Sequence, residues 1–217
     1  MKYYDYCILS DSDAAELSAM AAKLGWNGIC ILSRSGKTDN VKVGGLDVFG
    51  GLLIETDKAA EVRKEAMRQR KKFHVVAVSG SSEDVNRAAV ETPEVDILLP
   101  QAHTKIDYVM AKLARENGVS IGFEFRLLLH SSGRERSRIF SAMTEHAKLV
   151  RKFRSPFVIT SGALSEWDMR APSEMQAFGR VLGLDPLRII EGVSDRIILH
   201  NRKRLGGKYI APGVEVE

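Results

Sequence analysis

Residues 120–172 read SIGFEFRLLLHSSGRERSRIFSAMTEHAKLVRKFRSPFVITSGALSEWDMRAP. An apolar strand, SIGFEF at 120–125, is followed by a long basic helix. A second apolar strand, FVIT at 157–160, leads into a polar loop that carries Trp167 and Arg170. With about 100° between successive residues, Ile139, Phe140, Met143, Ala147 and Val150 share one arc of the helix, and Arg134, Arg138, Lys148 and Lys152 cluster opposite. The first set is expected to pack on the sheet and the second to form an outward cationic row. In the loop, Trp167 is expected to cover the end of the core, with stacking on a base as the other possibility.

The same alternation runs through the rest of the chain. YDYCIL at 4–9 is an apolar run ending at Ser10-Asp11-Ser12-Asp13, which reads as a strand followed by helix-capping residues. A helix over 14–24 stops at Gly25, and GICIL at 28–32 is a second strand. Residues 33–45 read as a loop, and Gly50-Gly51 inside the strand 46–55 predicts a bend or bulge. Strands at 75–80 and 96–100 follow, with helices over 57–71, 82–90 and 107–117 between and after them. A helix over 172–182 and a last one from Asp185-Pro186 to about Arg202 complete the pattern, leaving 206–217 as an extended tail outside a single domain of 1–205.

Seven short apolar strands joined mostly by helices favour parallel pairing with right-handed crossovers. No strand pair shows a tight Asn-Gly type of turn between its members. Each strand ends in a polar residue, at Ser10, Ser33, Glu55, Ser79, Gln101, Arg126 and Ser161. A TIM-like (β/α) barrel gathers such ends on one functional face, and this is the expected fold, with an open sheet as the alternative.

Composition narrows the function. The net charge is only +4, but residues 1–100 hold 13 Lys/Arg against 15 Asp/Glu, and residues 101–217 hold 19 against 13. Within 126–154 there are eight Lys/Arg and two Glu, a concentration that points to a polyanion. No apolar run approaches the roughly 20 residues of a membrane span, and the N-terminus has no secretory core, so a cytoplasmic protein is expected. Cys7 and Cys30 each sit in an apolar run and read as core thiols.

Catalytic signatures are sparse. The histidines, at 74, 103, 130, 146 and 200, form neither HxH nor HExxH, and they read as polar surface groups or as hydrogen-bonded ones. GxSxG and a Walker-type loop are absent. Ser79-Gly80-Ser81-Ser82 ahead of a helix has the form of a phosphate cradle, but capping is the expected role. The Arg202-Lys203-Arg204 cluster at the end of the last helix also complements a helix C-terminus.

The succession FEFRLLLHSSGRERSRIFSAMTEHAKLVRKF, FVITSGALSEWDMRAP and LGLDPLRIIEGVSDRIILHNRKR resembles the archaeal ribonuclease P protein component 3 family, related to the thirty-kilodalton subunit of the eukaryotic enzyme. The resemblance implies a barrel related to that of the polymerase-and-histidinol-phosphatase phosphoesterases. Those enzymes carry HxH after strand 1, where this chain has Leu9-Ser10-Asp11-Ser12-Asp13. It implies a subunit of the ribonucleoprotein endonuclease that removes the 5′ leader of precursor tRNA, with the RNA doing the hydrolysis and no cofactor in this chain. Expected partners are ribonuclease P RNA, a small protein subunit, other protein subunits and precursor tRNA through the complex. Expected RNA contacts are Arg126, His130, Arg134, Arg138, Lys148, Lys152, Arg154, Arg170, Arg202 and Arg204. The competing possibility is a metal-dependent phosphoesterase using Asp11, Asp13, His103 and Glu124.

Overall fold

The computed structural model describes residues 3–9, 14–34, 42–43, 45–185, 197, 201, 205, 209–211 and 214–215. Seven parallel strands, β1 (Tyr4–Ile8), β2 (Gly28–Ser33), β4 (Leu46–Glu55), β5 (Val75–Gly80), β6 (Ile97–Pro100), β7 (Ser120–Glu124) and β8 (Phe157–Thr160), pair in that order around a nearly closed barrel. The connecting helices are α1 (Ala14–Leu24), α2 (Ala59–Gln69), α3 (Glu83–Glu91), α4 (Tyr108–Asn117), α5 (Phe125–Leu129) and α6 (Gly133–Phe153), with α7 (Pro172–Val181) after β8. All seven strands expected from the sequence are present. The stretch read as one long helix is two, α5 and α6, broken at Ser131-Ser132, with Gly133 taking a φ of +52°.

The 33–45 loop contains a departure from parallel pairing within the barrel sheet. Strand β3 (Lys42–Val43) pairs antiparallel with β4 in the register Val43↔Leu46. Gly45, at φ +88°, supplies the left-handed conformation of a two-residue hairpin turn. The reading of 33–45 as a loop is therefore corrected, since a short strand there returns on β4, while the seven expected strands pair only in parallel with one another. The bulge expected at Gly50-Gly51 is absent, and β4 stays in register with β2 through both residues. Gly51 lacks a side chain for a packing reason: a Cβ there would stand 2.4 Å from Leu32 Cδ2 and 2.8 Å from Cys30 Sγ.

Two apolar clusters follow from strand alternation. One fills the barrel with residues such as Cys30, Leu32, Phe49, Leu53, Val75, Ile97, Leu99 and Val158. The other lies between strands and helices and includes Leu17, Val48, Val62, Val85, Met110, Ile121, Ile139 and Phe157. Both cysteines are free and buried, and burial pushes their thiols well above the ordinary range.

Ile197 and Asn201 are helical and buried, and Asn201 bonds at the N-terminal end of the barrel to the His74 carbonyl and to Asp96. The rest of the helix expected from Asp185 to Arg202 lies outside the described residues. Within 206–217, β9 (Tyr209–Ala211) and β10 (Val214–Glu215) pair antiparallel.

Candidate nucleic-acid interface

The C-terminal ends of the strands frame a cleft of about 380 Å³. Glu55, Ser79, Gln101 and Arg126, four of the polar strand ends expected to share a face, line it together. His103 from the loop after β6 and Glu135 and Arg138 from α6 complete its rim. The charges there are largely paired. Arg34 grips Glu55 through two guanidinium nitrogens, and Arg126 Nη2 lies 3.4 Å from Glu124 Oε1. Burial raises the Glu124 carboxyl above its ordinary range, against the pull of Arg126. Arg126 Nε is buried without a partner among the described residues, and its backbone N–H donates to the Ser161 carbonyl at 2.9 Å.

The loop after β8 is a fixed platform. The His130 ring, at the end of α5, contacts Asp168 Oδ1 at 2.6 Å, and Asp168 also accepts the Leu164 N–H at 3.0 Å. Burial acts to raise the Asp168 carboxyl. The hydrogen bonds from His130 and Leu164 outweigh burial and hold the group below its ordinary value. Arg170 donates to the Trp167 and Met169 carbonyls at 2.9 and 2.7 Å, and its own carbonyl accepts the Trp26 indole N–H at 2.9 Å. Arg170 is half-buried as a loop brace, with the rest of its guanidinium in reach of solvent. Trp167 is 75% exposed, so it does not cover the core as expected. The single 3-10 turn Glu166–Asp168 buries Asp168 and turns the indole outward.

On α6, Arg134 and Arg138 are exposed at the mouth end. Lys148 is exposed and ion-paired to Glu145 at 2.6 Å. Lys152 lies over the Phe153 ring, and Arg154 caps the helix in the left-handed region at φ +54°. These groups do not form one patch. A helix of this length spans roughly 30 Å, which separates Arg134 and Arg138 at the mouth from Lys152 and Arg154 at the opposite rim. Arg202 and Arg204 lie outside the described residues.

The inner face of α6 differs from expectation at two positions. Phe140 is 36% exposed, because it sits at the edge of the apolar arc. His146, not among the residues expected on the inner face, lies inside the arc and is buried with Ile139 and Met143. Desolvation depresses its pKa to about 4, only partly offset by a hydrogen bond with the Thr104 backbone. A folded-state pKa below the unfolded value near 6.5 means the group binds fewer protons when folded. Stability is then full above pH 6.5 and falls as pH drops toward 4, by up to about 3 kcal/mol. Urea titrations at several pH values are expected to show a His146→Gln variant losing less stability than wild type over that window. Parallel pH profiles for the two proteins would sink the assignment.

The serines after β5 cap rather than cradle. Ser82 Oγ accepts the Val85 N–H at 3.2 Å, and the Ser81 hydroxyl donates to the Thr56 carbonyl at 2.7 Å. Of the four candidate residues for a metal centre, His103 and Glu124 are described and both have protein partners. His103 turns to the Ser81 carbonyl at 3.2 Å, and Glu124 faces Arg126. Among the described residues no three His, Cys, Asp or Glu side chains converge as a ligand set. Asp11 and Asp13 lie outside the described residues.

Residues 2–205 match the family model described as RNase P subunit p30. The chain belongs to the RNase P subunit p30 family. Among curated relatives, ribonuclease P protein component 3 of Methanosarcina mazei is 36% identical, with 99% of this chain and 95% of that protein covered. The component 3 protein of Halobacterium salinarum is 30% identical over 94% of this chain and 92% of its own length. Among solved structures, a chain of archaeal ribonuclease P with mature tRNA superimposes with a TM-score of 0.83 and 27% identity, covering 98% of this chain and 97% of that one. Aspergillus niger ochratoxinase, at 11% identity and a TM-score of 0.56 over 92% and 71% of the two chains, shares the fold alone. As a member of the RNase P subunit p30 family, the chain is a protein subunit of an RNA-containing particle, and the phosphoesterase alternative is not favoured. No helix among the described residues is long and apolar enough to cross a membrane.

Proposed function

We propose that this subunit is a noncatalytic RNA-binding and assembly component of ribonuclease P, working in the cytoplasm, while the RNA carries the hydrolysis that releases the 5′ leader of precursor tRNA. The observation that carries this reading is the family match over residues 2–205. The chemistry of the barrel mouth agrees with it: Glu124 and His103 are committed to other protein groups, so neither is poised to activate water. The cations left to act do so as phosphate binders, through forked guanidinium donors and lysine point charges.

Arg126, Arg134 and Arg138 at the mouth would meet phosphates there, with His130 and Arg170 holding the loop that displays Trp167. Lys148, Lys152 and Arg154 would meet RNA at the far end of α6. The particle's small protein subunit and other protein subunits would cover the remaining faces, and precursor tRNA would be met through the assembled complex.

Reconstitution tests this reading. Precursor tRNA cleavage by the assembled particle is expected to fall when the chain is omitted, and the chain alone with divalent cations is expected to leave precursor tRNA intact. Turnover of precursor tRNA or of a simple phosphodiester by the isolated chain would overturn the noncatalytic role.

A further inference from the structure

The last turn of α6 is fastened to α4 by two bonds. The Ser155 hydroxyl donates to the Ala111 carbonyl at 2.6 Å, and the Arg115 guanidinium donates to the Phe153 carbonyl at 3.4 Å. In the seam so formed, the Lys112 ammonium stands 5.8 Å from the Phe153 ring centroid and 5.9 Å from that of Tyr108. The Lys152 ammonium stands 5.4 Å from the same Phe153 ring. Two cations from different helices thus lie against one aromatic ring, a contact worth little at an exposed site. Glu116 follows Lys112 by one turn of α4, yet no carboxylate makes an ion pair with Lys112, Arg115, Lys152 or Arg154 among the described residues.

Arg154 adds a second, independent observation. It is the one non-glycine residue with positive φ among the described residues, at +54°, and it caps α6 where glycine fits without steric cost. An exposed arginine held in that conformation gives up stability to place a cation beside the seam, and strain of this kind concentrates where a ligand is bound.

We propose that the α4–α6 seam is a separate RNA-backbone site, in which Lys112 and Arg115 from α4 join Lys152 and Arg154 from α6 around phosphodiester groups. This site rests on the RNA-binding role proposed above and deepens it. Lys152 and Arg154 then belong not to the row that includes Arg134 and Arg138 but to a site completed by the preceding helix. A phosphate entering the seam would meet cations from both helices. Tyr108, 59% exposed beside Lys112, offers a ring face for a base or ribose, which a nucleic acid uses and an acidic peptide does not need.

The test titrates the full chain against ribonuclease P RNA over a range of salt concentrations. Lys112→Gln/Arg115→Gln is expected to weaken binding about tenfold and to lower the slope of log affinity against log salt by about 1.5, given up to about 0.9 per phosphate contact. Both residues are exposed and the one bond lost, from Arg115 to the Phe153 carbonyl, is long, so the melting temperature is expected to move by only a few degrees. Arg154→Gly is expected to raise the melting temperature while lowering RNA affinity. If the double variant keeps wild-type affinity and slope while Arg134→Gln/Arg138→Gln weakens binding, the seam site is overturned and the RNA-binding role stands. Loss of a protein subunit's binding at unchanged RNA affinity would give the seam to a protein and overturn the proposal as well. A wild-type chain with no salt-dependent RNA binding would overturn the RNA-binding role itself.

Discussion

Asp96→Ala is expected to destabilise the chain by about 3–5 kcal/mol, because it strands a buried guanidinium. Arg70 and Asp96 form an ion pair with side chains only 6% and 13% exposed. Asp96 also accepts the Val76 N–H at 2.8 Å and the Asn201 amide at 2.9 Å, so one carboxylate ties α2, β5 and the C-terminal segment together. Arg70 spends further donors on the Phe73, His74 and Glu94 carbonyls. Deleting the carboxylate leaves those bonds in place but removes the countercharge from a site with little water to replace it. Asp96→Asn keeps the shape and an acceptor and is expected to cost about half as much. Equilibrium urea unfolding checks both, with a lower midpoint at an unchanged slope. A loss under about 1 kcal/mol for Asp96→Ala would mean that water reaches Arg70 and that this end of the barrel is not dry.

The strands of this barrel could be read directly because each is a short apolar run with its own stop. Strand β6 is ILLP and β8 is FVIT, and neither has the length or period of a helix. The polar residue ending each run placed Glu55, Ser79, Gln101 and Arg126 around one cleft. Reading by residue type failed where burial and polarity part company. The period of α6 puts His146 within the apolar arc, and only its polarity kept it out. Trp167 failed in the opposite sense, since a single 3-10 turn sets its direction and no periodic pattern encodes that turn. Tyr108, Lys112 and Arg115 were invisible as a group. They meet Phe153 and Lys152 only because α4 and α6 pack side by side, a neighbour relation created by the barrel and absent from local spacing.

Asp5 had a visible signal, a carboxylate in the middle of the run YDYCI, and it closes the barrel. Among the described residues no ladder joins β8 to β1, and side chains do that work. The Thr160 hydroxyl accepts the Cys7 N–H at 3.1 Å and donates to Asp5, which also takes the Ser161 hydroxyl and N–H. The Leu9 N–H reaches the Ala163 carbonyl at 2.8 Å just beyond. Asp5→Ala is expected to cost about 3 kcal/mol, since it removes the acceptor from the Ser161 hydroxyl and N–H and leaves the Thr160 hydroxyl only the Cys7 backbone in a fully buried seam. Asp5→Asn keeps the shape and one acceptor, and the Ser161 hydroxyl can turn to accept from the new amide, so the variant is expected to stay within about 1 kcal/mol of wild type at neutral pH. The two also differ in pH dependence. Burial raises the Asp5 carboxyl above its ordinary value near 3.8, outweighing the hydrogen bonds from Ser161 and Thr160, so the folded state binds more protons than the unfolded one above that pH. Its contribution therefore weakens as pH rises through that value toward the folded one, a slope opposite in sign to that of His146. The Asn variant lacks this slope and is expected to gain on wild type as pH rises from below 4 to neutrality. A stability difference between the two proteins that stays constant with pH would mean that Asp5 is ionised in the fold at no cost, and that the seam between β1 and β8 is open to water.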